Sequence, residues 1–209
     1  MREPTQERAR KRVAAILDAA ADLIAHEGVE ALTTTSLARA ADVPVGSVYQ
    51  YFDDADDVLH TLQHRLGAEL VAACHAALDA ALKGAPDGLD WRETTRLSFD
   101  TYWEELLCRP VYVALLRDAS RRRSFSEAMS TGDSDIGDLF RRGLVLGGAA
   151  LPKDRAHVIV ETALGALSAL TDLAMLADDE AEREMRRREM LRMIELYLGD
   201  AIEAGCRTT

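Results

Sequence analysis

The chain has 209 residues, of which 48% are hydrophobic and 5% aromatic, and a formal net charge of −11 at pH 7. This length supports one sizeable core or two modest ones, and the low glycine and proline content favours helices over sheets. The acidic balance excludes a broad nucleic-acid-binding face, so any contact with nucleic acid must be local.

Secretion, membrane insertion and metal-thiolate chemistry are also disfavoured. The amino end has no apolar signal segment, and the most apolar stretch, residues 158–177, is interrupted by Glu161 and Asp172. An odd number of cysteines without metal-type or redox-type spacing indicates free thiols in a reducing compartment. We therefore expect a cytoplasmic protein without a cofactor. The cysteines are Cys74, Cys108 and Cys206.

Basic residues are concentrated in the first twelve positions, where five basic side chains stand against two acidic ones. The first 65 residues together carry seven basic and eleven acidic side chains, so only this arm is basic. We expect the arm to be mobile. Two interpretations stay open for Arg10, Lys11 and Arg12: a solvated tail, or a group that contacts a phosphate or the minor groove of DNA.

A first long helix is predicted from Val13 to His26, where apolar residues recur at helical spacing, and Gly28 is typical of a helix end. Residues 33–52 then predict a short helix, a tight turn and a second short helix. Asp42 lies at the turn, where it tolerates a left-handed backbone, and Pro44 is suited to the start of the second helix.

The second helix of this motif has an unusual outer surface for a helix of purely structural role. Val48 and Phe52 lie four residues apart and share the face that would dock on the core. The outer positions carry hydroxyl, amide and small side chains, which suit phosphate contacts and base readout in a major groove. The predicted DNA contacts of the motif are Thr33, Thr34, Thr35, Pro44, Val45, Gly46, Ser47, Tyr49, Gln50 and Tyr51.

This stretch resembles the helix-turn-helix of the tetracycline-repressor (TetR) family. The resemblance rests on Thr34, Leu37, Ala38, Ala41, Val43, Gly46, Ser47, Tyr49, Tyr51 and Phe52. It implies an all-α fold, with a three-helix DNA-binding domain over residues 1–56 and a larger helical bundle for ligand binding and dimerisation over residues 57–209. It also implies a homodimeric, non-enzymatic repressor that a small molecule releases from a palindromic double-stranded operator.

The sequence departs from the family at one position beside the motif. The resemblance implies a phosphate-contacting lysine at position 55, but this chain has Ala55 within the run Asp53-Asp54-Ala55-Asp56-Asp57. The change removes one charge-assisted contact and leaves carboxylates near the DNA, which predicts weaker or more salt-sensitive binding. Asp53 or Asp54 is suited to cap the helix that follows.

Beyond the motif, the spacing predicts helices over residues 56–82, 89–107, 125–148, 153–177 and 180–204, with a turn-like interruption at residues 131–134. Aromatic and aliphatic residues on these helices predict a pocket for an apolar or aromatic effector, although core packing is the alternative for each. The candidates are Leu66, Leu70, Cys74, Phe99, Tyr102, Trp103, Tyr112, Phe125, Phe140 and Leu164.

The last two helices mix large and small residues. The resemblance implies that they pair with the same helices of a second chain, and the alternative is that they close the core of one chain. The predicted interface residues are Leu164, Leu167, Leu170, Leu191, Ile194 and Leu198.

Other classes of function are weighed against this interpretation. His60 and His64 share a helix face, and Asp154, His157 and Glu161 are similarly spaced, so a metal-sensing regulator or a helical metalloenzyme is an alternative. The chain has no nucleophile-elbow sequence and no phosphate-binding glycine loop, which disfavours an enzyme. A helical adaptor would not need the tyrosine-bearing helix. The sequence does not identify the effector, the operator or the direction of regulation.

Overall fold

All regular secondary structure that the computed structural model describes is helical. The described backbone covers residues 3–85, 88–122 and 134–206. The helices are α1 (Glu3–Glu27), a 3-10 turn (Val29–Ala31), α2 (Thr34–Ala40), α3 (Val45–Val48), α4 (Ala55–Gly84), α5 (Trp91–Leu107), α6 (Pro110–Arg122), α7 (Ser134–Leu146), α8 (Ala156–Met175) and α9 (Glu180–Cys206). The prediction of an all-α chain with a helix-turn-helix ahead of a larger helical domain is confirmed.

The chain forms two compact units. The N-terminal unit comprises Met1–Gly67 and Arg109–Asp118, and the C-terminal unit comprises Ala68–Cys108 and Ala119–Thr209. The sequence predicted a division at residue 56, whereas the compact units divide inside α4. The reason is that Val58 and Leu62, on the first turns of α4, are buried in the core of the N-terminal unit.

The core of the N-terminal unit is built from α1 to α4 together with one face of α6. Leu37 of α2 and Val48 of α3 are both completely buried in it, and Leu115 contributes from α6. Burial of each such side chain stabilises the fold by about 1.5–3 kcal/mol. The two short helices of the motif are therefore held by packing rather than by helix length, since isolated helices of this length are not stable.

The first helix is longer than the sequence predicted. The expectation of a mobile arm is wrong for residues 3–12, because α1 begins at Glu3 and includes Arg8, Arg10, Lys11 and Arg12. Lys11 pairs with Glu7 one turn earlier at 2.9 Å, a spacing that supports a helix. The helix ends at the predicted place, where Gly28 takes a positive φ of 85°.

The C-terminal unit contains two packed pairs of helices, α5 with α7 and α8 with α9. Glycines permit the first pair to approach closely. A Cβ placed on Gly147, the residue that follows α7, would lie 2.5 Å from Thr94 Oγ1 and 2.6 Å from the Cα of Trp91 on α5. Any larger residue at position 147 would therefore force α5 and α7 apart.

Ion pairs join α9 to α5 within the same unit. Arg187 donates to Asp100 at 2.6 Å and to Glu184 at 2.7 Å, and Arg96 pairs with Glu195. The hydrogen bond from Arg187 is the largest reason that the pKa of Glu184 is lowered from 4.5 to about 2. These contacts fix the rotation of α9 against α5, because each places a charged side chain opposite its partner.

The later helices follow the predicted order with shifted ends. The helix predicted over residues 89–107 corresponds to α5, the one over 153–177 to α8 and the one over 180–204 to α9. Of the predicted helix over residues 125–148, the structure shows α7 from Ser134, while Phe125 and the turn-like residues 131–133 lie outside the described residues.

Helix α8 is long and apolar enough to cross a membrane by length and composition alone, and it is the one such helix in the described part of the chain. Core helices of soluble proteins pass the same test. Its Glu161 and Asp172 are the residues that made a membrane span a poor prediction from the sequence.

Candidate nucleic-acid interface

The first helix of the motif begins with a complete capping box. The Thr33 hydroxyl accepts a hydrogen bond from the Ser36 backbone N–H at 3.0 Å, and the Ser36 hydroxyl accepts from the Thr33 backbone N–H at 2.9 Å. The Ser36 hydroxyl also donates to the carbonyl of Ala31 at 2.7 Å. The start of α2 is thereby tied to the chain segment before it, which fixes where its exposed threonines lie.

The turn between α2 and α3 has the predicted backbone. Asp42 adopts φ 51°, and among the described residues it is the one non-glycine residue with a positive φ. The Val43 N–H then donates to the carbonyl of Ala38 at 2.9 Å. Pro44 occupies the N-cap position, one residue before the first residue of α3, and has a φ of −59°. The turn sets the angle between the two helices.

Helix α3 ends at Val48, earlier than the predicted second helix, and α3 and the turn after it together have a buried side and an exposed side. Val48 and Phe52 are buried, as predicted, and dock the helix on the N-terminal core. Tyr49 is 56% exposed, and Gln50 is also exposed. Four further predicted contacts, Pro44, Val45, Gly46 and Tyr51, are exposed, and Ser47 is half-buried. Their side chains lie on the surface that the motif offers to solvent, but no described contact tests their role.

Gly46 is a notable member of this surface. A Cβ at Gly46 would meet no atom within 4 Å, and Gly46 is not among the positive-φ glycines. Neither backbone conformation nor internal packing requires a glycine there, although glycine in a helix costs about 0.5–1 kcal/mol relative to alanine.

The threonines at the start of α2 lie near the second helix. Thr33 and Thr35 are exposed and Thr34 is half-buried. The Thr34 hydroxyl lies 3.1 Å from the hydroxyl of Tyr49, within hydrogen-bond distance. Sequence reasoning missed this contact, because no periodicity joins residues 15 positions apart on two different helices.

The basic residues Arg10, Lys11 and Arg12 are exposed on α1. They therefore belong to a helix rather than to an irregular tail, and their contact with DNA stays a prediction. Two carboxylates of the acidic run after the motif accept hydrogen bonds at the start of α4. The Asp54 carboxylate accepts from the Asp57 backbone N–H at 2.9 Å, and the Asp57 carboxylate accepts from the Asp53 backbone N–H at 3.1 Å.

Ala55, the position of the family lysine, is the first residue of α4 and packs against the N-terminal core. No cation replaces the lysine at that position.

The predicted effector-binding residues fall into both compact units. Leu66 and Tyr112 belong to the N-terminal unit, and the other described candidates belong to the C-terminal unit. Phe99 and Trp103 stack with ring centroids 6.1 Å apart. The remaining members of the C-terminal group are Leu70, Cys74 and Phe140, which are buried, and Tyr102 and Leu164, which are half-buried.

Two buried hydroxyls of α5 stand out beside these aromatic residues. Thr95 Oγ1 and Ser98 Oγ are buried and have no hydrogen-bond partner within the described protein. Thr94, by contrast, donates to the carbonyl of Asp90 at 3.0 Å. A depression of about 690 Å³ on α9, lined by Glu189, Arg192, Met193, Leu196 and Tyr197, includes none of the predicted effector-binding residues.

The predicted interface residues divide between core and surface. Ile194 and Leu198 are completely or almost completely buried within the single chain. Their assignment to an interface surface is wrong, because the core of the C-terminal unit already covers them. Leu164, Leu167, Leu170 and Leu191 are half-buried. The apolar side chains that α8 and α9 expose most are others, among them Leu196 at 66% and Met185 at 59%.

The metal alternative gains no support from the arrangement of side chains. His60 and His64 are exposed on α4, as are Asp154 and His157 near the start of α8. Among the residues that the structure describes, no three His, Cys, Asp or Glu side chains are grouped to hold a metal ion.

A capped, core-docked helix pair that presents hydroxyl and amide groups outward, at the amino end of an all-α chain, defines a helix-turn-helix DNA-binding regulator. The model of the bacterial regulatory proteins of the tetR family matches residues 16–62, from the middle of α1 to the first turns of α4. Residues 16–62 therefore form a DNA-binding domain of the tetR family, and the chain as a whole is similar to TetR-family transcriptional regulators. A search of curated protein sequences found no match.

Solved structures resemble most of the chain. A TetR-family transcriptional regulator from Streptomyces coelicolor is 25% identical with a TM-score of 0.61, and the match covers 91% of this chain and 99% of that one. A bacterial regulatory protein of the tetR family from Rhodococcus RHA1 is 20% identical with a TM-score of 0.56, covering 91% and 97%. The fatty acid degradation regulator FadR from Bacillus halodurans is 19% identical with a TM-score of 0.58, covering 90% and 95%. The similarity to the Rhodococcus and Bacillus halodurans proteins is one of fold alone.

Proposed function

We propose that the protein is a cytoplasmic, ligand-responsive repressor that binds a palindromic operator as a homodimer. The observation that carries this proposal is the exposed face of the motif. Tyr49 and Gln50 point away from a core that Val48 and Phe52 complete. An exposed amide just after such a helix is suited to bidentate contact with adenine, and exposed hydroxyls are suited to phosphates.

The charge distribution supports a small and specific contact. With a net charge of −11, the chain has little non-specific attraction for DNA. The described cations of the N-terminal unit include the exposed Arg39 of α2 and, on α1, Arg10 and Arg12, while position 55 is alanine. Affinity must then come largely from hydrogen bonds made by α2, α3 and the residues after α3.

Dimerisation would supply the second half of the contact. Two copies must place their recognition helices about 34–36 Å apart to enter successive major grooves on one side of DNA. Exposed apolar residues on α8 and α9 support an interface there: Val158, Leu173 and Leu176 on α8, with Met185, Leu196 and Tyr197 on α9. This surface replaces the inward-facing Ile194 and Leu198 of the sequence prediction.

An effector would bind in the C-terminal unit among the aromatic residues of α5. The unpaired hydroxyls of Thr95 and Ser98 support an effector with an apolar body and a polar group, because a buried hydroxyl without a partner costs about 1–3 kcal/mol. Helix α4 contributes residues to both units. We propose that the effector shifts α4 and so changes the spacing of the recognition helices, which requires differential binding to two states.

The experiment that tests the function is a gel mobility shift with DNA from upstream of the gene that encodes the chain. The proposal expects a discrete complex that excess unrelated DNA does not displace. Equal affinity for unrelated DNA of the same length would contradict it.

A further inference from the structure

The two helices of the motif are joined by one side-chain hydrogen bond. The Thr34 hydroxyl at the start of α2 and the Tyr49 hydroxyl just after α3 are 3.1 Å apart. Tyr49 is 56% exposed, so packing alone does not hold its ring in one orientation. The bond is the described contact that fixes where the Tyr49 hydroxyl lies.

The bond is poorly placed to serve stability. A hydrogen bond between two neutral groups in contact with water gains little, because water offers each group the same partners in the unfolded chain. The start of α2 is already secured by the capping box of Thr33 and Ser36, and α3 by the buried Val48. What the bond does supply is orientation of an exposed side chain before binding, which lowers the entropy lost on binding.

The hydroxyl pair also has a defined hydrogen-bonding capacity. Each hydroxyl carries one proton, and the bond between Thr34 and Tyr49 uses one of the two. In the described part of the chain, no other hydrogen-bond partner is found for either hydroxyl. The pair therefore offers one O–H group and unused oxygen lone pairs at a fixed place on the surface between α2 and α3.

We propose that Thr34 and Tyr49 act as one coupled phosphate anchor. Tyr49 donates its O–H to a DNA phosphate oxygen, and Thr34 is a positioning residue that donates to Tyr49 and holds its ring. A phosphate oxygen is a strong acceptor, and donation from Thr34 strengthens the outward bond of Tyr49. The inference rests on the proposed DNA-binding function. Because position 55 is alanine, no lysine at that position contributes a phosphate contact, so the phosphate contact of Tyr49 matters more for affinity.

A double-mutant cycle tests the coupling. Operator affinity would be measured by fluorescence anisotropy for the intact chain and for Thr34→Val, Tyr49→Phe and the double variant. Each single variant is expected to bind about 3- to 10-fold more weakly, and the double variant no more than about 2-fold more weakly than the worse single. Thr34→Ser keeps the hydroxyl and is expected to restore most of the affinity.

A matched cycle with Thr35→Val in place of Thr34→Val is the control. Thr35 is the next residue of α2 and is exposed, but no hydrogen bond joins it to Tyr49 in the described structure. The fold-loss of operator affinity in Thr35→Val is expected to multiply with the fold-loss in Tyr49→Phe when the two changes are combined. The slope of affinity against salt is expected to stay unchanged in Thr34→Val and Tyr49→Phe, because neither removes a charge.

Normal operator affinity of Thr34→Val, or effects of Thr34→Val and Tyr49→Phe that multiply, would overturn the coupled anchor. Thermal unfolding checks that each variant is folded, and Tm is expected to change by less than about 2 °C in each variant. If the unmodified chain binds no operator, the proposed function itself fails, and that result is distinct from failure of the coupling.

Discussion

The two compact units place their candidate functional groups in opposite environments. In the N-terminal unit, Tyr49 and Gln50 are exposed just after α3, which the buried Val48 holds in place. In the C-terminal unit, Thr95, Ser98 and the stacked Phe99–Trp103 pair are part of the interior. Binding and stability are therefore separable in the first unit, whereas in the second the same side chains contribute to both.

The largest effect is expected from the core beneath the motif. Leu37→Ala removes a completely buried side chain from α2 and is expected to destabilise the N-terminal unit by about 3–5 kcal/mol and abolish operator binding. Urea unfolding followed by circular dichroism measures the loss. Both tryptophans, Trp91 and Trp103, belong to the C-terminal unit, so their fluorescence follows that unit separately. An equal shift of the tryptophan signal would contradict the assignment of this loss to the N-terminal unit.

Gln50→Ala tests whether binding separates from stability. Loss of a base contact is expected to weaken operator binding by about 10- to 100-fold while the unfolding midpoint stays unchanged, because Gln50 is exposed. Titration of labelled operator gives the affinity. Gln63→Ala, on α4, is the control with the same chemical change. Equal loss of affinity in both variants would remove Gln50 from the interface.

The C-terminal unit is tested by two neighbouring threonines. Thr95→Val removes a buried hydroxyl that lacks a partner and is expected to raise the free energy of unfolding by about 1 kcal/mol. Thr94→Val removes a hydroxyl that donates to Asp90 and is expected to lower it by a similar amount. Tryptophan fluorescence during urea unfolding distinguishes these signs. Compounds that release the operator are expected to act more weakly on Thr95→Val, and unchanged release would exclude Thr95 as an anchor.

Gly46→Ala is expected to move stability and binding in opposite directions. The added methyl group meets no protein atom within 4 Å, so the variant should gain about 0.5–1 kcal/mol of stability. Operator binding should weaken, because the methyl group would occupy space between α3 and DNA. Thermal unfolding and anisotropy on the same sample measure both. Unchanged binding would place Gly46 outside the contact.

The smallest expected effect is on the acid stability of the C-terminal unit. Arg187 lowers the pKa of Glu184 from 4.5 to about 2, so the folded state holds the charged form more strongly than the unfolded chain does. The resulting stabilisation is present above about pH 4.5 and is lost as the pH falls towards 2. The difference in unfolding free energy between the protein and Glu184→Gln should therefore shrink between these pH values. A pH-independent difference would contradict this linkage.

Local chemistry explains what was predictable in the motif. Asp42 in a left-handed turn, Pro44 before a helix and the burial of Val48 and Phe52 depend on near neighbours in the sequence. In residues 3–12 the two signals conflict: the charge density favours a solvated arm, whereas the spacing of Glu7 and Lys11 favours the helix that the structure shows.

Longer-range arrangement was not predictable in the same way. Helical spacing identified the apolar face of α9, but it could not show that Ile194 and Leu198 on that face meet their own chain. The bond between Thr34 and Tyr49 likewise depends on the angle between two helices and on a rotamer. The unpaired hydroxyls of Thr95 and Ser98 appear only when all neighbours are placed.

Footprinting on the DNA upstream of the gene tests the central claim most directly, because it maps the contact without assuming the operator sequence. A dimer with outward-facing recognition helices predicts two protected half-sites with centres about 10–10.5 base pairs apart, and loss of both on Gln50→Ala. Uniform weak protection without half-sites, unchanged by Gln50→Ala, would contradict the account.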